Sequence, residues 1–366
     1  GDSFGLENVL WFANNKEDAY EEPTIKRSRS HNYVSKEVIN VRENVGIIEV
    51  ANFSKHEFKG PDARKFLDFI MAGRLPKPGR ISLSPMLSYR GKLCGDLTVT
   101  CLDENEFIVF GSGAAQEMHR RWFESHLGKF NVNYNNRSDE FHGLSIAGPN
   151  SRKVLEKIVR EDISNEKFKF RDSRRMFVGG VPAIVNRISF TGELGYEIYV
   201  APHYQIKLYE ELIQAGKEFN IKPFGGRALM SMRLEKNWGA WTLDYRPDFT
   251  AKETGLDTFI NWNKEFIGKE NAKKDNSTNK IVPLIVETNE IDVTNNEAVV
   301  NGKDSIGYVT SGGFAHYVNK SVAFTFLDQN KINYDNKIQI EINGDLFNCS
   351  LIKDSLYDPT GQKMRS

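Results

Sequence analysis

Apolar residues fall at helical spacing in two segments that also resemble each other. Phe58-Lys59-Gly60-Pro61-Asp62-Ala63-Arg64-Lys65-Phe66-Leu67-Asp68-Phe69-Ile70 sets Ala63, Phe66, Leu67 and Ile70 on one face of a helix. Ile146-Ala147-Gly148-Pro149-Asn150-Ser151-Arg152-Lys153-Val154-Leu155-Glu156-Lys157-Ile158 does the same with Val154, Leu155 and Ile158. Each copy reads as a strand end, a Gly-Pro helix start with proline at the first helical position, and an amphipathic helix. Strands at 46–50 and 144–147 are expected ahead of them. Two related α+β units are the simplest account.

The pattern continues with strands at 96–102 and 106–111 and a helix over 114–126. Strands at 181–189 and 196–200 follow, then a helix over 202–219 with Ile206, Tyr209, Leu212 and Ile213 inward, and another over 227–238 that stops at Gly239. The polar stretch 271–280 reads as a linker. Beyond it the period shortens to strands at 281–287, 305–310, 321–326 and 337–342, which suit a small all-β barrel or sandwich.

Composition narrows the function classes. The 366 residues suffice for one large or two to three ordinary domains, and a hydrophobic content of 39% supports a real core. Lys+Arg and Asp+Glu are both 49, so overall charge calls for neither a nucleic-acid nor a membrane partner. The basic run Lys26-Arg27-Ser28-Arg29-Ser30-His31 reads as a solvated arm. Cys94, Cys101 and Cys349 have no paired spacing, which suits neither a disulfide framework nor a zinc site and implies reduced thiols in a cytoplasmic compartment. No apolar run is long enough to span a bilayer, and no signal pattern opens the chain, whose Gly1 reads as a processed or engineered start. The Gly111-Ser112-Gly113 turn lacks the third glycine and the acidic residue of a dinucleotide site. The seven histidines are scattered singly, and none neighbours Cys94 to make it a nucleophile.

Two carboxylates carry the candidate chemistry. In Ile188-Ser189-Phe190-Thr191-Gly192-Glu193-Leu194-Gly195-Tyr196-Glu197-Ile198-Tyr199-Val200, a turn on Gly192 and Gly195 feeds an alternating strand that Glu197 enters between aromatic rings. A carboxylate there can accept two parallel hydrogen bonds from a flat ligand edge while a ring packs on the ligand face, which suits a pterin. An ordinary two-sided strand with an exposed Glu fits the same residues. In Ser88-Tyr89-Arg90-Gly91-Lys92-Leu93-Cys94-Gly95-Asp96-Leu97-Thr98-Val99, Asp96 stands at a strand mouth, where acids are depleted. It is either a carboxylate that polarises or protonates a nitrogen beside a reacting carbon, or an acid that satisfies turn amides.

With these stretches in place, the chain resembles the folate-dependent aminomethyltransferase family, which includes the T-protein of the glycine cleavage system. It resembles more closely the C-terminal folate domains of dimethylglycine and sarcosine dehydrogenases. The likeness runs through Ser3-Phe4-Gly5-Leu6-Glu7, Leu10-Trp11-Phe12-Ala13, Val45-Gly46-Ile47-Ile48-Glu49-Val50 and Met86-Leu87. It continues through Asp96-Leu97-Thr98-Val99, Thr191 to Glu197, Arg233-Leu234-Glu235-Lys236, Glu253-Thr254-Gly255-Leu256, Phe266-Ile267-Gly268-Lys269 and Val309-Thr310-Ser311-Gly312-Gly313.

The resemblance implies an α+β fold of three domains arranged as a clover-leaf ring, with tetrahydrofolate in the central channel. It divides the chain into 1–50 with 143–270 as the folate-binding domain, 51–142 as a second α+β domain and 281–366 as the β domain. It implies that Glu197 holds the pterin edge and that Asp96 is catalytic. Phe190, where many members carry Tyr, lines the pterin pocket beside Tyr196. Ser112 replaces the polar group of the Asn often found at the position of Gly111. Arg227, Arg233 and Lys236 are candidates for the glutamate tail, with a structural ion pair as the alternative for Arg233. No metal is implied. The implied activity moves a one-carbon unit from a small amine to tetrahydrofolate, giving 5,10-methylenetetrahydrofolate, with a separate flavin oxidoreductase or a carrier protein as partner. Departures at Leu83, Gly111, Ala228-Leu229-Met230 and Ala251-Lys252 fall on the substrate side and set the lipoyl-carrier substrate apart. A demethylase giving 5-methyltetrahydrofolate and a non-enzymatic folate-binding protein are the alternatives. The latter's Lys-Gly-Cys-Tyr-x-Gly-Gln-Glu motif is absent from the sequence.

Overall fold

The computed structural model describes the chain apart from Phe4, Gly5, Glu22 and Tyr334 and the side chains of Asp2, Ser3 and Leu6. Phe4 and Gly5 of the opening motif therefore lie outside the described residues. Three large sheets carry the fold. The six-stranded sheet runs, in spatial order, Ser173–Val178, Val181–Asn186, Gly195–Val200, His142–Ala147, Val45–Glu49 and Ile221–Pro223. Only the last pairing is parallel. The five-stranded antiparallel sheet runs Arg80–Leu87, Leu93–Asp103, Glu106–Gly111, Ser54–Lys59 and Asn133–Asn136. Six strands between Asn279 and Leu351 close into a barrel, which decides between the barrel and the sandwich. No helix among the described residues is long and apolar enough to cross a membrane.

Helices cover one face of each α+β sheet. Ser151–Glu156 and Gln205–Gly216 bury Val154, Leu155, Leu208 and Leu212 against Tyr196, Ile198 and Val200 of the six-stranded sheet. Ala63–Ile70 and Gln116–Leu127 bury Phe66, Leu67, Ile70 and Phe123 against Leu97, Val99 and Phe107 of the other. The opposite faces are left to meet each other.

The internal repeat is visible in backbone conformation. In both copies the helix's first residue donates to the glycine carbonyl three positions back, Ala63 to Gly60 and Ser151 to Gly148, each at 3.0 Å. The residue after proline has matching angles, φ −104° and ψ 9° at Asp62, φ −98° and ψ 3° at Asn150. This is a type I turn with proline at its second position. Pro61 and Pro149 thus sit just outside the helices rather than at the first helical position, because the fixed proline φ suits the turn equally well. Gly60 and Gly148 adopt φ of +130° and +134°, where a Cβ would come within 2.7 Å of Asn131 O and 2.5 Å of Asn44 O. The strand leading into the first copy is Ser54–Lys59, which buries Ser54, Lys55, His56 and Glu57 and so carries no apolar signature.

Two other expectations are corrected. The helix Gln205–Gly216 turns Leu208, Leu212 and Ala215 inward, while Ile206 is 75% exposed and Tyr209 38% exposed. Two apolar stripes compete on this helix, and the i, i+4, i+7 stripe through Leu208 is the one that meets the sheet. Within the basic run before the helix Ser30–Glu43, Arg27 is docked while Lys26 and Arg29 stay exposed as expected. Lys26 pairs with Glu290 at 2.5 Å, and Arg27 pairs with Asp292 at 3.1 Å and lies 4.1 Å over the Phe314 ring.

Candidate functional site

The strand Gly195–Val200 alternates, so neighbours point to opposite faces. Tyr196 goes to the helix side, fully buried and stacked on Phe168 at 6.1 Å. Glu197 and Tyr199 go to the other face. Tyr199 donates its hydroxyl to Glu197 Oε2 at 2.7 Å. Glu197 is 8% exposed, and its carboxyl is pushed up to about 7 by burial, against the pull of the Tyr199 hydrogen bond and of Lys55. Lys55 is a buried ammonium whose Nζ donates to the carbonyls of Ala51 at 2.6 Å and Phe53 at 2.7 Å. Burial presses it down to about 8, while Asp139, Glu197 and Glu49 act to hold its charge. Opposite Tyr199 stands Gly143, where a Cβ would lie 2.7 Å from the ring. The ring needs that glycine.

Asp96 occupies the equivalent face of the five-stranded sheet. Leu97 and Val99 join the helix-side core, so Asp96 and Thr98 point the other way. Thr98 pairs directly with Phe110, and the Phe110 ring packs 4.6 Å from that of Tyr199. Asp96 and Thr98 thus share a sheet face, and Thr98's partner Phe110 meets Tyr199, the residue bonded to Glu197 on the other sheet. Asp96 retains some solvent contact, and burial pushes its carboxyl up to about 7. Tyr245 stands close, its phenol raised first by burial and then by the charge of Asp96. Two acids with raised pKa on facing surfaces make a site able to accept donors at one end and exchange a proton at the other.

The remaining expected residues lie elsewhere or are already engaged. Tyr196 lies on the opposite face of the sheet from Glu197, because adjacent strand residues cannot share a face. Tyr199, two residues on, shares the face of Glu197. Phe190 is half-buried and stacks on Trp238 at 5.9 Å. Ser112 caps the short turn Gly113–Ala115 without a side-chain bond. Arg233 is 1% exposed and pairs with Asp244 at 2.7 Å, whose other oxygen accepts from Thr310 at 2.6 Å and Ser311 at 2.7 Å. This realises the ion-pair alternative and ties the Arg233 and Thr310 motifs together. Lys236 donates to the Tyr357 and Asp358 carbonyls at 3.1 and 2.6 Å. Arg227 pairs with Glu21 at 2.5 Å and donates to Ser30 at 2.7 Å. None of the three is a free cation for an anionic tail.

A further buried arginine, Arg42, explains two motif acids. It donates to Glu193 Oε1 at 2.9 Å and to Glu235 Oε2 at 2.6 Å and lies 3.7 Å over the Tyr357 ring. Glu253 closes a capping box with Thr250. These acids are engaged within the fold. The Cys94 thiol is pushed up to about 11 by burial, which leaves it a poor nucleophile. Two cavities lie away from Asp96 and Glu197, one of them lined by Arg227. One of about 700 Å³ includes Arg27, His31, Arg227 and Phe314, and one of about 390 Å³ includes Glu57, Arg137 and Phe177.

Comparison with known proteins now decides the family. Residues 1–264 match the GCVT N-terminal domain and residues 279–358 the glycine cleavage T-protein C-terminal barrel domain. The chain belongs to the glycine cleavage T-protein family. Mitochondrial dimethylglycine dehydrogenase of Mus musculus is 33% identical over 360 residues, 96% of this chain and 41% of that protein. The human protein of the same name is 32% identical over 372 residues, 99% of this chain and 43% of that one. This T-protein family member thus spans about two-fifths of the length of those relatives. The aminomethyltransferase of Thermoanaerobacter pseudethanolicus is 28% identical over 330 residues, covering 88% of this chain and 89% of that one. Among solved structures, glycine cleavage system aminomethyltransferase T from Bartonella henselae shares the fold, with a TM-score of 0.79 and 21% identity over 89% of this chain and 90% of that one.

Proposed function

We propose that this T-protein family member transfers a one-carbon unit from a small methylated amine to tetrahydrofolate, giving 5,10-methylenetetrahydrofolate. The observation that carries this reading is the pair of raised-pKa carboxylates, Asp96 and Glu197, on the faces of two sheets that meet through Phe110 and Tyr199. The domain division that accompanies it sets residues 1–50 with 143–270 around the six-stranded sheet, 51–142 around the five-stranded sheet and 281–366 on the barrel.

The residues fit a pterin at one point and not at another. Glu197 is a buried acceptor with a single hydroxyl donor on Oε2, and a carboxylate has capacity for further donors. The tail-binding role expected of Arg233 and Lys236 has no such support, since both are buried and paired. Tetrahydrofolate, when bound, supplies the nitrogens that take up the one-carbon unit. Glu197 holds the flat edge through charge-assisted hydrogen bonds. Asp96, titrating near neutrality, is poised both to stabilise positive charge and to move a proton, worth roughly 10²–10⁴-fold. The donor is an iminium, R₂N⁺=CH₂, whose nitrogen leaves as the protonated amine after gaining the two protons that the acceptor nitrogens lose.

The amine is of the dimethylglycine or sarcosine kind, a reading supported by the high coverage of this chain by the dimethylglycine dehydrogenases. Oxidation of that amine falls to a flavin oxidoreductase, either a separate partner or a further domain of the same polypeptide. The three unpaired cysteines support a reducing, cytoplasmic setting. The test supplies methyl-¹³C sarcosine or dimethylglycine, a flavin oxidase and tetrahydrofolate, with glycine and dimethylsulfoniopropionate as comparators, and reads the product by NMR. Labelled methylenetetrahydrofolate formed faster than by free formaldehyde supports the reading. Labelled 5-methyltetrahydrofolate points to demethylation instead, and binding without turnover to a non-enzymatic role.

A further inference from the structure

The strand that presents Asp96 is irregular just before it. Met86 pairs with Gly95 and Leu87 with Leu93, so Cys94 is an extra residue with no partner across the ladder. This is a β-bulge, and a bulge re-aims the side chains that follow it. Its unpaired carbonyl is taken by a side chain. His119, on the helix Gln116–Leu127, places Nε2 at 2.9 Å from Cys94 O. A carbonyl only accepts, so Nε2 carries the proton.

Room for the imidazole is cut by two glycines. A Cβ on Gly95 would lie 2.9 Å from His119 Nε2, and one on Gly111 would lie 3.0 Å from Nδ1. Gly95 directly precedes Asp96. His119 is 1% exposed, and its Nδ1 finds no partner among the described residues. Behind it His56 is fully buried, holds Tyr134 OH at 2.8 Å through Nδ1 and likewise leaves Nε2 unpartnered. Burial presses both rings down, His119 to about 4 and His56 to about 3, so both are neutral. An unpartnered buried nitrogen is unfavourable, and a leucine or phenylalanine would pack here without it. Packing alone therefore does not account for the imidazole; its donor does.

We propose that His119 is the positioning residue for Asp96: by holding the Cys94 carbonyl it fixes the bulge and so aims the carboxylate on the sheet face that Asp96 shares with Thr98. The role rests on the catalytic reading of Asp96. His119 touches neither substrate nor folate and acts only through the strand.

The test compares His119→Leu, which removes the donor, with His119→Gln, whose amide reaches to the same point. In His119→Leu, kcat falls about 10²-fold while KM for tetrahydrofolate holds within a few-fold, as expected for a misplaced reacting group. In His119→Gln most of that loss is recovered. A ¹³C NMR titration of the Asp96 carboxyl moves toward the ordinary carboxylate range in the leucine variant and returns in the glutamine variant. Normal kcat and an unmoved Asp96 titration in folded His119→Leu overturn the proposal. So does equal loss in both variants with only the melting temperature changed. If Asp96→Asn leaves turnover intact, the catalytic reading has failed instead, and the NMR titration still judges whether His119 positions the carboxylate.

Discussion

Tyr199 donates its hydroxyl to Glu197 at 2.7 Å from the same face of one strand, and the bond opposes the effect of burial on the carboxyl. Removing it in Tyr199→Phe leaves desolvation less opposed, so the Glu197 pKa rises further above about 7. The ionised form accepts the pterin donors, so tetrahydrofolate affinity at neutral pH falls and the midpoint of its pH dependence moves upward. Stability falls by about 1 kcal/mol. Calorimetric titrations across neutral pH check this, and an unmoved midpoint contradicts it.

Glu197 also sets a pH dependence of stability. An unfolded glutamate titrates near 4.5, and this one titrates at about 7 in the fold. Between those values the native protein keeps a proton that the unfolded chain has released. Stability from this group is therefore present below the unfolded pKa and is lost as pH rises through the folded one. Glu197→Gln, which cannot ionise, is expected to melt higher than the parent at about pH 8, by roughly 1–3 kcal/mol of stability, and to differ little at about pH 4. Thermal melts at both pH values measure the difference, and a less stable variant at the higher pH contradicts it.

Arg42 fastens Glu193 and Glu235 in a place where all three side chains are nearly unexposed. Arg42→Met strands two carboxylates and is expected to cost about 3–5 kcal/mol in urea unfolding. Adding Glu193→Gln and Glu235→Gln to the same chain should restore part of that loss, because it is the uncompensated charge, more than the missing contact, that destabilises.

Glu253, Glu193, Glu235 and Arg233 show where the sequence was readable and where it was not. Their motifs mark the family, yet each side chain caps or pairs within the fold. Nothing in a linear motif separates an acid that binds ligand from one that meets an arginine far along the chain. Asp96 and Glu197 stood out in the sequence because an acid at a strand mouth or within an alternating strand departs from strand composition. Strand period could have singled out Tyr199, since it puts i+2, not i+1, beside Glu197, but the sequence reading chose Tyr196. The Gly-Pro repeat pointed to the paired units, while the type I turn that holds each proline emerged only in the fold. Lys55, His56 and His119 left no signal, since polar residues buried at single positions look like surface residues until the sheet that covers them is known. The strand Ser54–Lys59 was hidden for the same reason.

In the proposed function a reduced folate lies between Glu197 and Asp96, bound by the first and worked on by the second. Titration of tetrahydrofolate into Asp96→Asn and Glu197→Gln, with turnover measured on the same samples, tests it most directly. Asp96→Asn is expected to bind within a few-fold of the parent and lose turnover by roughly 10²–10⁴-fold. Glu197→Gln is expected to lose about 2–3 kcal/mol of affinity. Parental affinity in Glu197→Gln, or parental turnover in Asp96→Asn, contradicts the claim.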